Sequence, residues 1–170
     1  METETIKIQN PFVFEKLDWP AAEEALVSLK TKTPQTLVHG IPGSAKAFLL
    51  AWFYQKLQEK KPWLILTPTR EEALLLQDDI ASWLPQVPVY LCPSWEILPQ
   101  DVETPDPGLI GERQRVFYQL LQEESCIVVA PLMGALQQTL PPDEWMDQVI
   151  ILRKGHDAPA DIKQKLTAMG

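Results

Sequence analysis

The sequence predicts an α/β domain with a mostly parallel sheet flanked by helices, and three observations carry that prediction. Short apolar runs alternate with amphipathic helical stretches along most of the chain, the pattern of strands joined by helical crossovers. The run Cys126 to Ala130 is uncharged and shows no polar alternation, as expected of a strand buried on both faces. Thr36 to Leu50, TLVHGIPGSAKAFLL, has the layout of a phosphate-binding loop: an apolar run, a glycine-containing turn, a lysine and then a helix.

Taken in order, residues 1–34 form a lead-in with one helix, roughly Pro20 to Leu29, in which Asp18 is placed to cap the start and two glutamates occupy the first turns. Thr36 to His39 reads as a short buried strand. Ala45 to about Glu59 reads as a helix, because Phe48, Leu49, Trp52, Phe53 and Leu57 recur at three- and four-residue spacing. The plan then repeats. Trp63 to Leu66 is a strand, Thr67 to Arg70 a turn, and Glu71 to Leu84 a helix with Ala73, Leu74, Leu76, Ile80, Trp83 and Leu84 on its apolar face, stopped by Pro85.

Val89 to Cys92 is a third strand, followed by PSWEILPQDVETPDPG, which prolines interrupt too often for regular structure. Leu109 to Gln122 forms a helix with Val116, Leu120 and Leu121 inward, and Cys126 to Ala130 is the strand after it. Beyond Pro131 a short helix reaches about Gln138, and after the Pro141-Pro142 break DEWMDQ starts another turn. Val149 to Leu152 reads as a strand and Asp161 to Met169 as an amphipathic helix. The sequence thus divides into the lead-in 1–34, a main domain 35–148, and the start of a second domain at 149–170, with the boundary placed between residues 145 and 155.

Composition narrows the function classes. The 170 residues are 45% apolar and 22% charged, enough for one domain with a real core. Fifteen basic residues against 23 acidic ones leave a net charge of -8, which argues against a general nucleic-acid surface. Lys56, Lys60 and Lys61 cluster where cations complement a helix C-terminus. The two cysteines, Cys92 and Cys126, have no C-x-x-C spacing and no nearby histidine, so both read as buried free thiols and neither metal nor redox chemistry is predicted. Signal-peptide and membrane-span patterns are absent from the sequence, and a cytoplasmic protein without membrane contact is expected.

The loop itself departs from the full pattern G-x-x-x-x-G-K-[ST]. Gly40 and Lys46 fit, and Gly43 and Ser44 supply the turn, but Ala45 stands where the second glycine belongs and Ala47 where the Ser or Thr belongs. Glycine lets backbone amides curl around a phosphate with no Cβ in the way, and the hydroxyl ligates Mg²⁺. Alanine does neither.

Three segments together resemble the N-terminal, UvrB-like module of the bacterial transcription-repair coupling factor family: GIPGSAKAFLLAWF, CPSWEILPQDVETPDPGLIGERQRVFYQLL and CIVVAPLMGALQQTLPP. The tail VIILRKGHDAPADIKQKLTAMG is similar to the entry into that module's second domain. The resemblance spans about residues 35 to 170 and implies a RecA-like, phosphate-loop-type fold. It further implies a non-catalytic scaffold linking stalled RNA polymerase to nucleotide excision repair. UvrA would bind through the second domain, and RNA polymerase and DNA through downstream domains. ATP and Mg²⁺ would act at a downstream motor, with no cofactor and no metal in residues 1–170.

UvrB itself keeps a full loop, so the alternative is the ATP-binding half of an active UvrB-like DNA helicase, with Gly40, Gly43, Ser44 and Lys46 holding nucleotide. By the same resemblance Thr67, Thr69 and Arg70 lie where related helicases touch the DNA backbone, although Thr69 followed by Glu71 and Glu72 also reads as a helix cap. Trp95 could stack on a base or anchor its loop. Glu112 and Arg113 can pair with backbone or partner charges, and exposed pairs of that kind contribute little. His39 and His156 have no acidic or cysteine companions.

Overall fold

Alternation of strand and helix produces the expected layered α/β architecture. The structure, a computed structural model, describes residues 18–31, 35–58, 61–95, 106–122, 125–147, 149–150, 152, 154–155 and 162–163. In chain order these residues form α1 (Pro20–Lys30), α2 (Ala45–Leu57), β1 (Trp63–Thr67), α3 (Arg70–Trp83), β2 (Val89–Leu91), α4 (Pro107–Leu121), β3 (Ile127–Pro131), α5 (Leu132–Leu136) and α6 (Pro142–Asp147). They divide into two compact units, residues 1–135 and 136–170.

The three strands form one parallel sheet in the order β1-β3-β2. Trp63 and Val89 both pair with Ile127, so β3 is central, and all of its residues are buried, as its uncharged sequence requires. One face of the sheet carries α2 and α3, with Trp52, Ile80, Leu84, Ile127 and Val129 in a common core that α1 joins through Leu26. The stacked Trp19 and Phe48 rings, 6.3 Å apart, add a second contact between the α1 end and α2. On the other face Val116 of α4 packs with Cys92, Cys126, Val128 and Ala130.

That second face is covered only in part. The register sets Leu64 beside Val128 and Leu66 beside Ala130, yet Leu64 is 61% and Leu66 49% exposed. α4 packs against β2, which leaves the β1 end of this face open among the described residues.

Several local expectations are corrected. Thr36 to His39 is not a strand: it has no regular structure, and Leu37 is 86% exposed. The run passes directly into the turn that Gly40 enters at φ +78°, and β1 does not pair with it, so the short apolar run lacks the neighbour a strand needs. Asp18 does not cap α1. Trp19 holds the cap position with no side-chain bond, and Pro20 begins the helix, where its missing N–H costs nothing. On α3 the predicted inward residues Leu74 and Trp83 are exposed, though Trp83 meets the Phe48 ring edge-on at 4.9 Å.

In the second unit, the described residues of Val149–Leu152 carry no strand. Most of the helix expected over 161–169 lies outside the described residues, as do His156 and Lys60. The α6 turn is closed by the Trp145 amide donating to the Pro141 carbonyl at 2.9 Å.

Candidate functional site

In the glycine-containing loop two left-handed glycines shape the turn, and two of the backbone amides are bonded within it. Gly40 at φ +78° and Gly43 at φ +48° occupy the left-handed region that side chains rarely adopt, so the turn into α2 depends on both. The amides that a phosphate cradle would present are directed into the turn instead: Ala45 N–H donates to the Pro42 carbonyl at 3.1 Å and Lys46 N–H to the Gly43 carbonyl at 3.3 Å. Ser44 stands at the helix cap position without a side-chain cap bond.

Ala47 is fully buried on the inner face of α2, in the same core as Ala51, Trp52 and Ile80. Its packing explains why a small apolar residue stands where a metal-ligating hydroxyl would be in the full pattern. Lys46, one residue earlier, is exposed. It lines a groove of about 610 Å³ between residues 36–41 and β1, whose other walls are mostly apolar and include Leu37, Leu49, Phe53 and Leu66. The groove thus offers a phosphate one lysine, no hydroxyl at position 47, and a Glu72 carboxylate that opposes negative charge.

Thr67 and Gly40 share this groove, but the threonines of the β1-α3 turn serve the turn itself. Thr67 is buried, and its hydroxyl donates to the Thr69 carbonyl at 2.8 Å. Thr69 has extended backbone geometry and caps α3, its Oγ1 accepting from the Glu72 amide at 3.2 Å. Arg70 is half-buried at the first helical position, and Glu71 and Glu72 follow in the first turn, where they suit the helix dipole.

Trp95 stands apart from the groove, beyond the end of β2, and here the structure shows something the residue pattern did not. Arg113 is only 2% exposed. Its Nη1 donates to the Pro93 carbonyl at 2.6 Å and the Gly134 carbonyl at 3.0 Å, with Cys92 Sγ at 3.8 Å. The guanidinium carbon lies 5.4 Å from the Trp95 ring centre and 5.3 Å from that of Phe117, so the charge also rests against two aromatic faces. Of the two ways this residue could pair, backbone carbonyls are the partners found, and they are buried. A signal was present: Arg113 lies on the helical stripe formed by Leu109, Val116, Phe117 and Leu120, and a cation in that register points inward.

Gly134 completes the cluster. A Cβ there would lie 3.0 Å from the Cys92 carbonyl oxygen, 3.1 Å from the Pro93 carbonyl carbon and 3.1 Å from the Ser94 nitrogen. Backbone cannot yield as a side-chain tip does, so Gly134→Ala is expected to cost about 1–3 kcal/mol, measured as a lowered urea midpoint. Both cysteines are buried and outside any disulfide. Burial pushes the Cys92 thiol pKa up, and the positive charge of Arg113 pulls part of that back.

Among the described residues no group of His, Cys, Asp or Glu is placed to hold a metal ion, and no helix is long and apolar enough to cross a membrane. No protein-family model matches the chain. Curated proteins do. The chain is 33% identical over 135 residues to proteins named transcription-repair-coupling factor from Staphylococcus haemolyticus and Staphylococcus epidermidis, covering 79% of this chain and 11% of each relative. It is 29% identical over 136 residues to the protein of that name from Staphylococcus aureus, covering 12% of it. Together with the parallel α/β fold, this similarity places the chain in the transcription-repair-coupling factor family, as a homologue of a stretch about one-ninth the length of those relatives.

Proposed function

We propose that the chain is the N-terminal, UvrB-like module of a coupling factor and works as a non-catalytic scaffold between stalled RNA polymerase and nucleotide excision repair. The observation that carries this reading is the loop before α2. Its amides at Ala45 and Lys46 are spent within the turn, and Ala47 is packed into the core where a metal-ligating hydroxyl would have to face outward. The turn instead leads the chain into α2, which packs on the sheet. ATP and Mg²⁺ act at a motor elsewhere in the full-length protein, where RNA polymerase and DNA are also engaged, and UvrA is met through the domain that begins near residue 149.

The second reading, an ATP-binding helicase half, rests on Lys46, which is exposed at the mouth of the groove. Nucleotide titration of the chain separates the two. Saturable binding that Mg²⁺ strengthens belongs to the helicase reading, and its absence belongs to the scaffold.

A further inference from the structure

The Arg113 cluster ties together two segments that leave the same end of the sheet. Cys92 to Ser94 continue from β2, and Gly134 lies in α5, immediately after β3. One guanidinium nitrogen bonds a carbonyl from each, at Pro93 and Gly134. The two segments also approach closely at Gly134, where an added Cβ would lie 3.0 Å from the Cys92 carbonyl oxygen.

The tie is made by a group that is costly to bury. Arg113 has no carboxylate partner among the described residues, and its Nε is buried without an acceptor there. A buried cation without a counter-ion offsets much of what its hydrogen bonds contribute. The step from a closed arrangement held this way to one in which the arginine swings into water is therefore smaller than global unfolding.

The apolar contacts nearby point the same way. β3 is buried throughout and Cys126, at its entry, is fully buried, so that end of the sheet opens only with the whole fold. At the other end Leu132, Met133 and Leu136 of α5 are exposed, and Gly134 is the one buried residue of that helix. Little apolar burial holds α5 apart from the arginine.

We propose that Arg113 is a latch: the Cys92–Trp95 segment and α5 open and close as one local unit, separately from the rest of the sheet, with the guanidinium as its fastening. Opening would release Trp95 from the face of Arg113. This device stands on the geometry alone and does not depend on the scaffold reading.

The two cysteines report on it, since they are the only thiols in the sequence and lie at opposite ends of the second-face core. Iodoacetamide labelling of the whole 170-residue chain, resolved by peptide mass spectrometry, should modify Cys92 at least roughly tenfold faster than Cys126. The Cys92 rate should change little with low urea, because local opening exposes little surface, whereas the Cys126 rate should rise steeply. Arg113→Lys, which keeps the charge but ends one bond short of Nη1 and loses the planar group over the Trp95 and Phe117 rings, should raise the Cys92 rate at least roughly tenfold. Ile80→Val, on the opposite side of the sheet, should raise the Cys126 rate and leave that of Cys92 unchanged. Equal rates with equal urea dependence in the native chain would overturn the latch without any variant, and so would an Arg113→Lys chain whose Cys92 rate is unchanged.

Discussion

Arg113→Met will lower the stability of the chain by about 2–5 kcal/mol, although the residue looks from the sequence like one half of an exposed ion pair. The substitution keeps most of the side-chain volume and removes the donors, so the carbonyls of Pro93 and Gly134 are left buried and unpaired, each at about 1–3 kcal/mol. Relief from burying a cation offsets part of the loss, and the stacking on Trp95 and Phe117 is weakened. An exposed charge on a helix would change stability by no more than about 0.5 kcal/mol. Urea unfolding followed by tryptophan fluorescence distinguishes these magnitudes. Glu112→Gln, one residue earlier and exposed, is the matched control and should fall within the smaller range.

Ala47→Thr, which restores the residue type of the full loop pattern, will destabilise the fold by about 2–4 kcal/mol rather than recover a metal site. Ala47 is fully buried against the α2-α3 core, and a threonine adds a methyl and a hydroxyl to packed space. Overpacking of that kind costs about 1–3 kcal/mol, and a hydroxyl without a partner adds to it. The substitution should lower the urea midpoint with little change in slope. Lys46→Ala, by contrast, removes an exposed side chain and should leave the midpoint nearly where it was.

The fold was legible in the sequence wherever burial dictated residue type along a whole element. The uncharged stretch at 126–130 could only sit between two strands and two layers of helix, and it does. The three- and four-residue spacing of Leu49, Trp52 and Phe53 placed α2 correctly because one face of it meets the core. Thr36 to His39 misled because strand character there rests on a pairing partner, which no local pattern reports, and β1 does not provide one.

The candidate site was legible in its chemistry and less so in its packing. That Ala45 and Ala47 remove what a phosphate loop needs follows from the residue types alone. That the loop amides close upon Pro42 and Gly43, and that Ala47 faces the core, follows only from the helix's orientation. Arg113 was passed over for the opposite reason: its charge suggested the surface, while its register on the α4 apolar stripe pointed inward, and register decided. The Cys92 thiol follows from that outcome, with burial raising its pKa and the adjacent guanidinium opposing the shift.

We propose that the turn before α2 has the layout of a phosphate loop without its chemistry, a claim open to titration with a fluorescent ATP analogue. With millimolar Mg²⁺ present, the chain should show no saturable binding up to millimolar nucleotide, and Lys46→Ala should leave the titration unchanged. Micromolar binding that is strengthened by Mg²⁺ and abolished by Lys46→Ala would contradict the claim.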